Sequence, residues 1–255
     1  MQIVKDLRGP DGCPWDKEQT HQSLAPFAIE ELFEMIEALE SNNDIDFKEE
    51  LGDVLFQVAL HCQLAAERGA FTYQDVIQTL SEKLIRRHPH VFENGPKKDI
   101  HEVWTHWEKI KKEEKKNKQR NDSFFDFPKQ LPALQRAHKI GVKGQKLHFD
   151  WKLPENVFAK VLEELNELNF EIQNKTDQAI SQEKIQEEFG DLLFSLAQWA
   201  RHLGIEPEQS LRLANQKFEF RFEKMMKLAQ ARNLVWDDLS DFEKERLWQE
   251  IKLDI

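Results

Sequence analysis

Two acidic patterns in this chain have the residue types and the spacing to hold a metal ion. The first is Glu30-Glu31-Leu32-Phe33-Glu34, followed by Glu50-Leu51-Gly52-Asp53. The second is Glu163-Glu164-Leu165-Asn166-Glu167, followed by Glu188-Phe189-Gly190-Asp191. On a helix, residues three or four apart share a face. Glu31 therefore sides with Glu34, and Glu50 with Asp53; Glu164 sides with Glu167, and Glu188 with Asp191. If the two helices of each set are antiparallel neighbours, four carboxylates converge. At an effective dielectric of about 20, two such charges about 6 Å apart repel by roughly 3 kcal/mol. The cluster needs a cation or protons, and a hard cation with oxygen ligands, Mg²⁺ or Mn²⁺, fits it. A single EExxE is commonly a solvated helix face. Two copies that each lead into an apolar run, Val54-Leu55-Phe56 and Leu192-Leu193-Phe194, are not.

The elements that would position these groups read as helices. Leu, Glu, Lys, Gln and Ala dominate, with only nine Gly and nine Pro in 255 residues, which favours helix. The stretch Met1 to Leu24 reads as irregular, because Gly9-Pro10 and Gly12 punctuate it. In that loop Trp15 is either an anchor on the bundle or a lid near the acidic cluster. A helix is expected from Pro26, with Ile29, Leu32, Phe33, Ile36 and Leu39 as its apolar stripe. The next, from about Phe47 to Gly69, should carry Leu51, Val54, Leu55, Val58 and Cys62 inward. Two more follow at about Tyr73 to His88 and His101 to Lys116. After a charged run, helices are expected at Leu131 to Lys146, from Pro154, from Glu183 to Leu203, from Pro207 to Arg232, and from Asp241. The stretch Asn174 to Glu183 reads as a polar connection.

Basic and aromatic residues repeat with the carboxylates. Lys83 and Arg87 match Lys217 and Arg221, each 134 residues on; Trp107 and Lys111 match Trp248 and Lys252, each 141 on. Every pair is i, i+4 and shares a helix face. The chain thus reads as all-α, a helical module of about four core helices used twice. The boundaries are 1–116 for the first repeat, 117–127 for a charged linker and 128–255 for the second. Carboxylates for a metal, Lys and Arg for phosphoryl oxygens and Trp for a base or a pocket wall make up the complement a triphosphate requires. The bland alternative pairs Lys217 and Arg221 with Glu219 and Glu223 on the helix surface. It also makes Trp248 a core anchor.

Composition narrows the class further. A formal net charge of −11 argues against stable nucleic acid binding. Lys111 to Asp122 is charge-dense and reads as a solvated helix end and linker rather than an RNA contact. Cys13 and Cys62 form no framework, which suits a reduced, cytoplasmic protein, with Cys62 as a small core residue. No signal peptide is expected ahead of Gln2, and no apolar run approaches a membrane span.

Several local motifs resemble MazG, the nucleoside triphosphate pyrophosphohydrolases of the all-α NTP pyrophosphatase superfamily. The resemblance spans nearly the whole chain. It is carried by Gly12-Cys13-Pro14-Trp15-Asp16, Gln19-Thr20-His21, both acidic sets and Arg87-His88-Pro89-His90-Val91-Phe92. It continues through Leu131-Pro132-Ala133-Leu134, Phe149-Asp150-Trp151 and Ala214-Asn215-Gln216-Lys217-Phe218. It implies Mg²⁺-dependent hydrolysis of nucleoside and deoxynucleoside triphosphates to monophosphate and pyrophosphate, clearing non-standard or excess nucleotides. It also implies a homodimer and a C-terminal repeat that carries the activity. By the resemblance Glu164, Glu167, Glu188 and Asp191 are metal ligands. Glu163 supports them or orients water, and Lys217, Arg221, Trp248 and Lys252 contact nucleotide. The first repeat offers Glu31, Glu34, Glu50 and Asp53 with Lys83, Arg87, Trp107 and Lys111. The chain departs from the family at His148, commonly Gly, at Gly144-Gln145, usually an Ala pair, and at Phe220, commonly Arg.

Two other classes compete with this reading. A di-iron carboxylate bundle needs Glu-x-x-His pairs, and neither acidic motif supplies a His at the i+3 position. A nucleotide-sensing regulatory or interaction protein with little turnover is the alternative; the first repeat could serve so even beside a catalytic second repeat, but it has the carboxylates, so the sequence does not demote it.

Overall fold

The structure is a computed structural model that describes residues 1–92, 99–117, 124–174 and 178–253. It divides into two compact units, Met1–Asn121 and Asp122–Ile255. Among the described residues every regular element is a helix. The expected linker, 117–127, falls in large part on residues 118–123, outside those described.

In the first unit the helices are α1 (Gln2–Arg8), α2 (Pro14–Glu18), α3 (His21–Glu40), α4 (Asp44–Glu67), α5 (Tyr73–Arg87), α6 (Pro89–Phe92) and α7 (Ile100–Asn117). The N-terminal stretch is therefore helical rather than irregular, and α3 starts five residues before Pro26. The reason is its cap: Thr20 accepts from the Ser23 amide at 3.1 Å while Ser23 Oγ accepts from the Thr20 amide at 2.9 Å. That reciprocal pair satisfies two orphan donors and holds the first turn. Asn43 caps α4 by a one-way contact, its side-chain oxygen accepting from the amides of Ile45 and Asp46. Gly69, at φ +69°, takes the left-handed position just past its end. Trp15 is half exposed and packs edge-on against Phe27, with ring centroids 5.7 Å apart, while the neighbouring Asp16 is buried.

Helices α3 and α4 run antiparallel, since Leu24 packs near Ala59 and Leu60 while Glu31 meets Gln57 and lies beside Asp53. The expected inward stripes are corrected here. Ile29, Leu32, Phe33 and Leu39 of α3 are exposed, as are Leu51, Leu55 and Val58 of α4. The buried positions are Leu24 and Ala38 on α3, and Gln57, Ala59, Leu60, Cys62 and Ala65 on α4. Each helix thus carries a second apolar face that the described residues of its own unit leave exposed.

In the second unit the helices are α8 (Ala133–Lys146), α9 (Pro154–Gln173), α10 (Gln178–His202), α11 (Pro207–Ala231) and α12 (Asp241–Leu253), with a 3₁₀ turn at Trp236–Asp238. Pro154 and Pro207 open their helices, where a missing N–H costs nothing. Helix α10 begins at Gln178, earlier than the expected Glu183, so the polar connection is shorter than its composition implies. Helices α9 and α10 repeat the α3–α4 hairpin, with Phe158 against Trp199 at one end and the carboxylates further along. Helix α8 lies close on α10: a Cβ at Gly141 would sit 1.7 Å from Gln198 Oε1. Gln198 is fully buried and donates to the Ala137 carbonyl at 2.8 Å. The glycine that weakens α8 as an isolated helix is what permits this approach. Helices α11 and α12 close over Met225, Ala229, Leu239, Leu247 and Ile251.

Candidate functional site

Each hairpin brings three of its four acidic residues into a tight group. In the first unit Glu31, Glu50 and Asp53 each place one oxygen within 4.8 Å of the others; in the second, Glu164, Glu188 and Asp191 do the same. The fourth residues, Glu34 and Glu167, stand outside these triads. They remain near enough to act electrostatically. The Glu50 carboxyl is pushed up by desolvation and then by Glu34, Asp53 and Glu31. The Glu188 carboxyl is pushed up by desolvation and then by Glu167, Glu164 and Asp191. Glu31 is raised likewise, by burial and by Asp53. Glu167 and Glu188 also share an open cleft with Asn166, Phe170 and Glu171.

The donors are all oxygens and all anionic, which fits a hard divalent cation. In the first unit a neutral donor adjoins them. Gln57 is 7% exposed, its Nε2 lies 3.5 Å from Glu31 Oε1, and its Oε1 has no hydrogen-bond partner. The corresponding position in the second unit, by the 138-residue offset of the aspartates, is the buried Ser195.

The second unit also places a cation beside its motif, three residues ahead of Glu163. Lys160 Nζ lies 2.8 Å from Glu163 and 2.7 Å from Glu164. These bonds hold its ammonium above the usual lysine value. Glu163, 56% exposed at its side chain, is occupied by this pair. Lys160 sits one helical turn before Glu164, so the Lys-x-x-Glu-Glu spacing was a readable i, i+4 signal. The first unit has Phe27 at that position.

The basic residues differ between the units too. In the first, Lys83 and Arg87 are half-buried on α5, and the Arg87 guanidinium lies 5.5 Å from the Trp107 ring centre, with Lys111 Nζ at 4.9 Å. Arg87 and its neighbour Arg86 both bond Glu114 of α7. Part of the charged run that reads as a solvated helix end is therefore a tertiary contact. In the second unit Lys217 is exposed and Arg221 half-buried on α11. Neither forms an ion pair among the described residues, so the expected surface pairing with Glu219 and Glu223 is not found. Arg221 Nε is buried without a partner. Trp248 of α12 packs on Phe218 at 5.2 Å, and Lys252 lies over its ring at 6.0 Å.

Comparison with known proteins gives the same two segments. A family model described as the MazG nucleotide pyrophosphohydrolase domain matches residues 19–92 and again 153–226. Over 252 residues the chain is 45% identical to the nucleoside triphosphate pyrophosphohydrolase/pyrophosphatase MazG of Thermotoga maritima, covering 99% of this chain and 94% of that protein. It is 41% identical over 253 residues to the nucleoside triphosphate pyrophosphohydrolase of Escherichia coli, covering 99% and 95%. The nucleoside triphosphate pyrophosphohydrolase of Mycolicibacterium smegmatis matches over half of this chain, at 41% identity, and over 40% of its own length. With both carboxylate hairpins inside matched segments and likeness along nearly its full length, the chain belongs to the MazG nucleotide pyrophosphohydrolase family, with the domain present twice.

Proposed function

We propose that this chain hydrolyses nucleoside and deoxynucleoside triphosphates to the monophosphate and pyrophosphate, using Mg²⁺, with Mn²⁺ able to replace it, and so clears non-standard or excess nucleotides. The observation that carries this is the Glu164, Glu188 and Asp191 triad, set in a unit whose Lys217 and Arg221 form no ion pair among the described residues. When bound, the cation would polarise phosphoryl oxygens and lower the pKa of a water. The protein's own groups do the rest. Glu164, Glu188 and Asp191 hold the cation, with Glu167 beside them. Glu163, once released from Lys160, orients water. Lys217 and Arg221 neutralise charge on the departing pyrophosphate. Trp248 and Lys252 bound the nucleotide.

The domain assignment proposed is 1–116 and 128–255 for the repeats, joined by 117–127. We also assign a homodimer: the uncovered apolar faces of α3 and α4 are large, and closed pairing is the usual way to bury such a face. No described helix is long and apolar enough to cross a membrane. The acidic balance disfavours stable nucleic acid binding, and a cytoplasmic location follows from the substrate class. The test is a panel of nucleoside triphosphates with Mg²⁺ and identification of both products. Release of orthophosphate in place of pyrophosphate would overturn the reading.

A further inference from the structure

The first unit's carboxylate triad has a neighbour that the second lacks. Glu50, Asp53 and Gln57 recur at i, i+3 and i+7 on α4 and so share one face. Gln57 is 7% exposed, and its Nε2 reaches Glu31 Oε1 across the hairpin at 3.5 Å. A buried amide oxygen without a hydrogen bond is costly, yet Gln57 Oε1 has no partner among the described residues. The terminal torsion of a glutamine is broad and roughly two-fold, so a half-turn exchanges the two ends of the amide. That half-turn brings the unpaired oxygen to the place Nε2 now holds, beside Glu31. Without a cation the exchange sets oxygen against oxygen; with one it adds a ligand.

The spacing selects the cation. Two oxygens at right angles around Ca²⁺, each about 2.4 Å away, lie about 3.4 Å apart; around Mg²⁺, at about 2.1 Å, they lie about 3.0 Å apart. The 3.5 Å between the amide end and Glu31 matches the larger ion. Ligand type agrees. Ca²⁺ takes about six to eight oxygens, glutamine carbonyls among them, whereas Mg²⁺ keeps several waters. All three carboxylates of the first triad are half-buried, which limits the waters a bound ion keeps; in the second triad Asp191 is exposed. Ser195, at the position matching Gln57, carries its oxygen two bonds nearer the backbone. Lys160 also competes there for Glu164, and Phe27 stands in its place in the first unit.

We infer that Gln57 is a specificity-determining residue for a divalent cation: its amide oxygen completes, with Glu31, Glu50 and Asp53, a first-repeat site that takes Ca²⁺ in preference to Mg²⁺. The inference concerns the cation of this repeat alone and does not depend on the hydrolysis proposed above.

The test is calorimetry of the full Asp191→Asn chain with CaCl₂ or MgCl₂ and no nucleotide, so that the first triad alone stays intact. One Ca²⁺ event is expected, at least about tenfold tighter than Mg²⁺, and adding Asp53→Asn should abolish it. Gln57→Leu, close in volume, should weaken Ca²⁺ at least about fivefold and shift Mg²⁺ less than about twofold. Gln57→Met gives the same reading should the leucine chain not fold. Gln57→Glu keeps an oxygen at the same reach and should keep the event. A Gln57 that only packed the hairpin would move both ions together, or the melting temperature alone. Equal affinity for the two ions in the Asp191→Asn chain, or no Ca²⁺ event, would overturn the inference whether or not any Gln57 variant folds. So would a Ca²⁺ event that survives Asp53→Asn, a folded Gln57→Leu or Gln57→Met chain whose preference is unchanged, or a folded Gln57→Glu chain that has lost the event. Failure of the hydrolysis reading would show instead in the nucleotide panel and leave these titrations unchanged.

Discussion

The same helical hairpin is used twice in this chain, and the two copies balance their charges in opposite places. In the first, no described lysine pairs with the carboxylate triad, which the amide of Gln57 adjoins, while both arginines of the pair bond Glu114. In the second, Lys160 pairs with Glu164 of the triad, while among the described residues Lys217 and Arg221 form no ion pair. Both copies keep the acidic triad on two helices. The charged groups around it differ. A motif-level reading treats the repeats as equivalent; the counterions do not.

The tie between each hairpin and its preceding segment shows the same reversal. In the first unit the arginine comes from the short helix: Arg8 reaches Glu67 at the end of α4, at 2.8 and 2.9 Å. In the second, the arginine sits on the long helix: Arg201 of α10 reaches Asp150 at 2.9 Å, with His202 at 3.2 Å. Burial alone would raise the Asp150 carboxyl, but Arg201 and His202 outweigh it and hold it below the usual range.

The largest expected effect separates the two triads. Asp191→Asn should cut turnover by more than about 100-fold and remove most of the thermal stabilisation that Mg²⁺ adds, because a ligand is lost while carboxylate repulsion falls. Replacing Glu50 and Asp53 together should leave most of the turnover. The reverse result, in steady-state kinetics of both variants, would place the active site in the first repeat. Next come the two ties. Arg201 is 6% exposed at its side chain and Asp150 10%, so Arg201→Ala strands a buried carboxylate and should cost about 3 kcal/mol. Glu67 is 38% exposed, so Arg8→Ala should cost about half as much in urea unfolding. Equal costs would mean that the difference in burial does not matter.

A smaller effect belongs to Lys160. Lys160→Met leaves Glu164 facing Glu188 and Asp191 without a counterion. Metal-free stability should fall by about 0.5–1 kcal/mol, and the gain on adding Mg²⁺ should rise. Phe27→Lys in the first repeat should act in the opposite sense. Melting curves with and without Mg²⁺ read both, and a smaller Mg²⁺ gain in Lys160→Met would show that the lysine helps the cation rather than substituting for it.

Much of this was legible in the residues. Glycine stops, prolines at first turns and the i, i+3 acidic spacing placed most helices and brought together six of the eight proposed ligands. Thr20 and Ser23 were a readable cap, masked by the turn formers ahead of them. The left-handed φ of His148, +59°, explains why Gly commonly stands there in the family. What could not be read was which apolar stripe faces the chain's own core, because periodicity does not distinguish a face buried within the chain from one left for another surface. Glu114 was equally hidden. It lies in a run of like-looking charges, and only the packing of α7 against α5 sets it apart from its neighbours.

The smallest effect tests that contact through pH. Arg87, then Arg86, hold the Glu114 carboxyl down to about 2, against an ordinary value of 4.5. The unfolded chain therefore takes up this proton before the folded chain does as pH falls. Stability from the contact is fully present above about pH 4.5 and drains away as pH drops toward about 2. Glu114→Gln has no such proton to gain. Between pH 5 and pH 3 the unmodified chain should lose more stability in urea unfolding than the variant does, with the difference vanishing above pH 5. High salt should shrink that difference only partly, since the arginine and carboxylate are sheltered. If the two pH profiles ran parallel over this range, Glu114 would not be held by the arginines in the folded chain, and the difference in ion pairs between the two units would lose its basis.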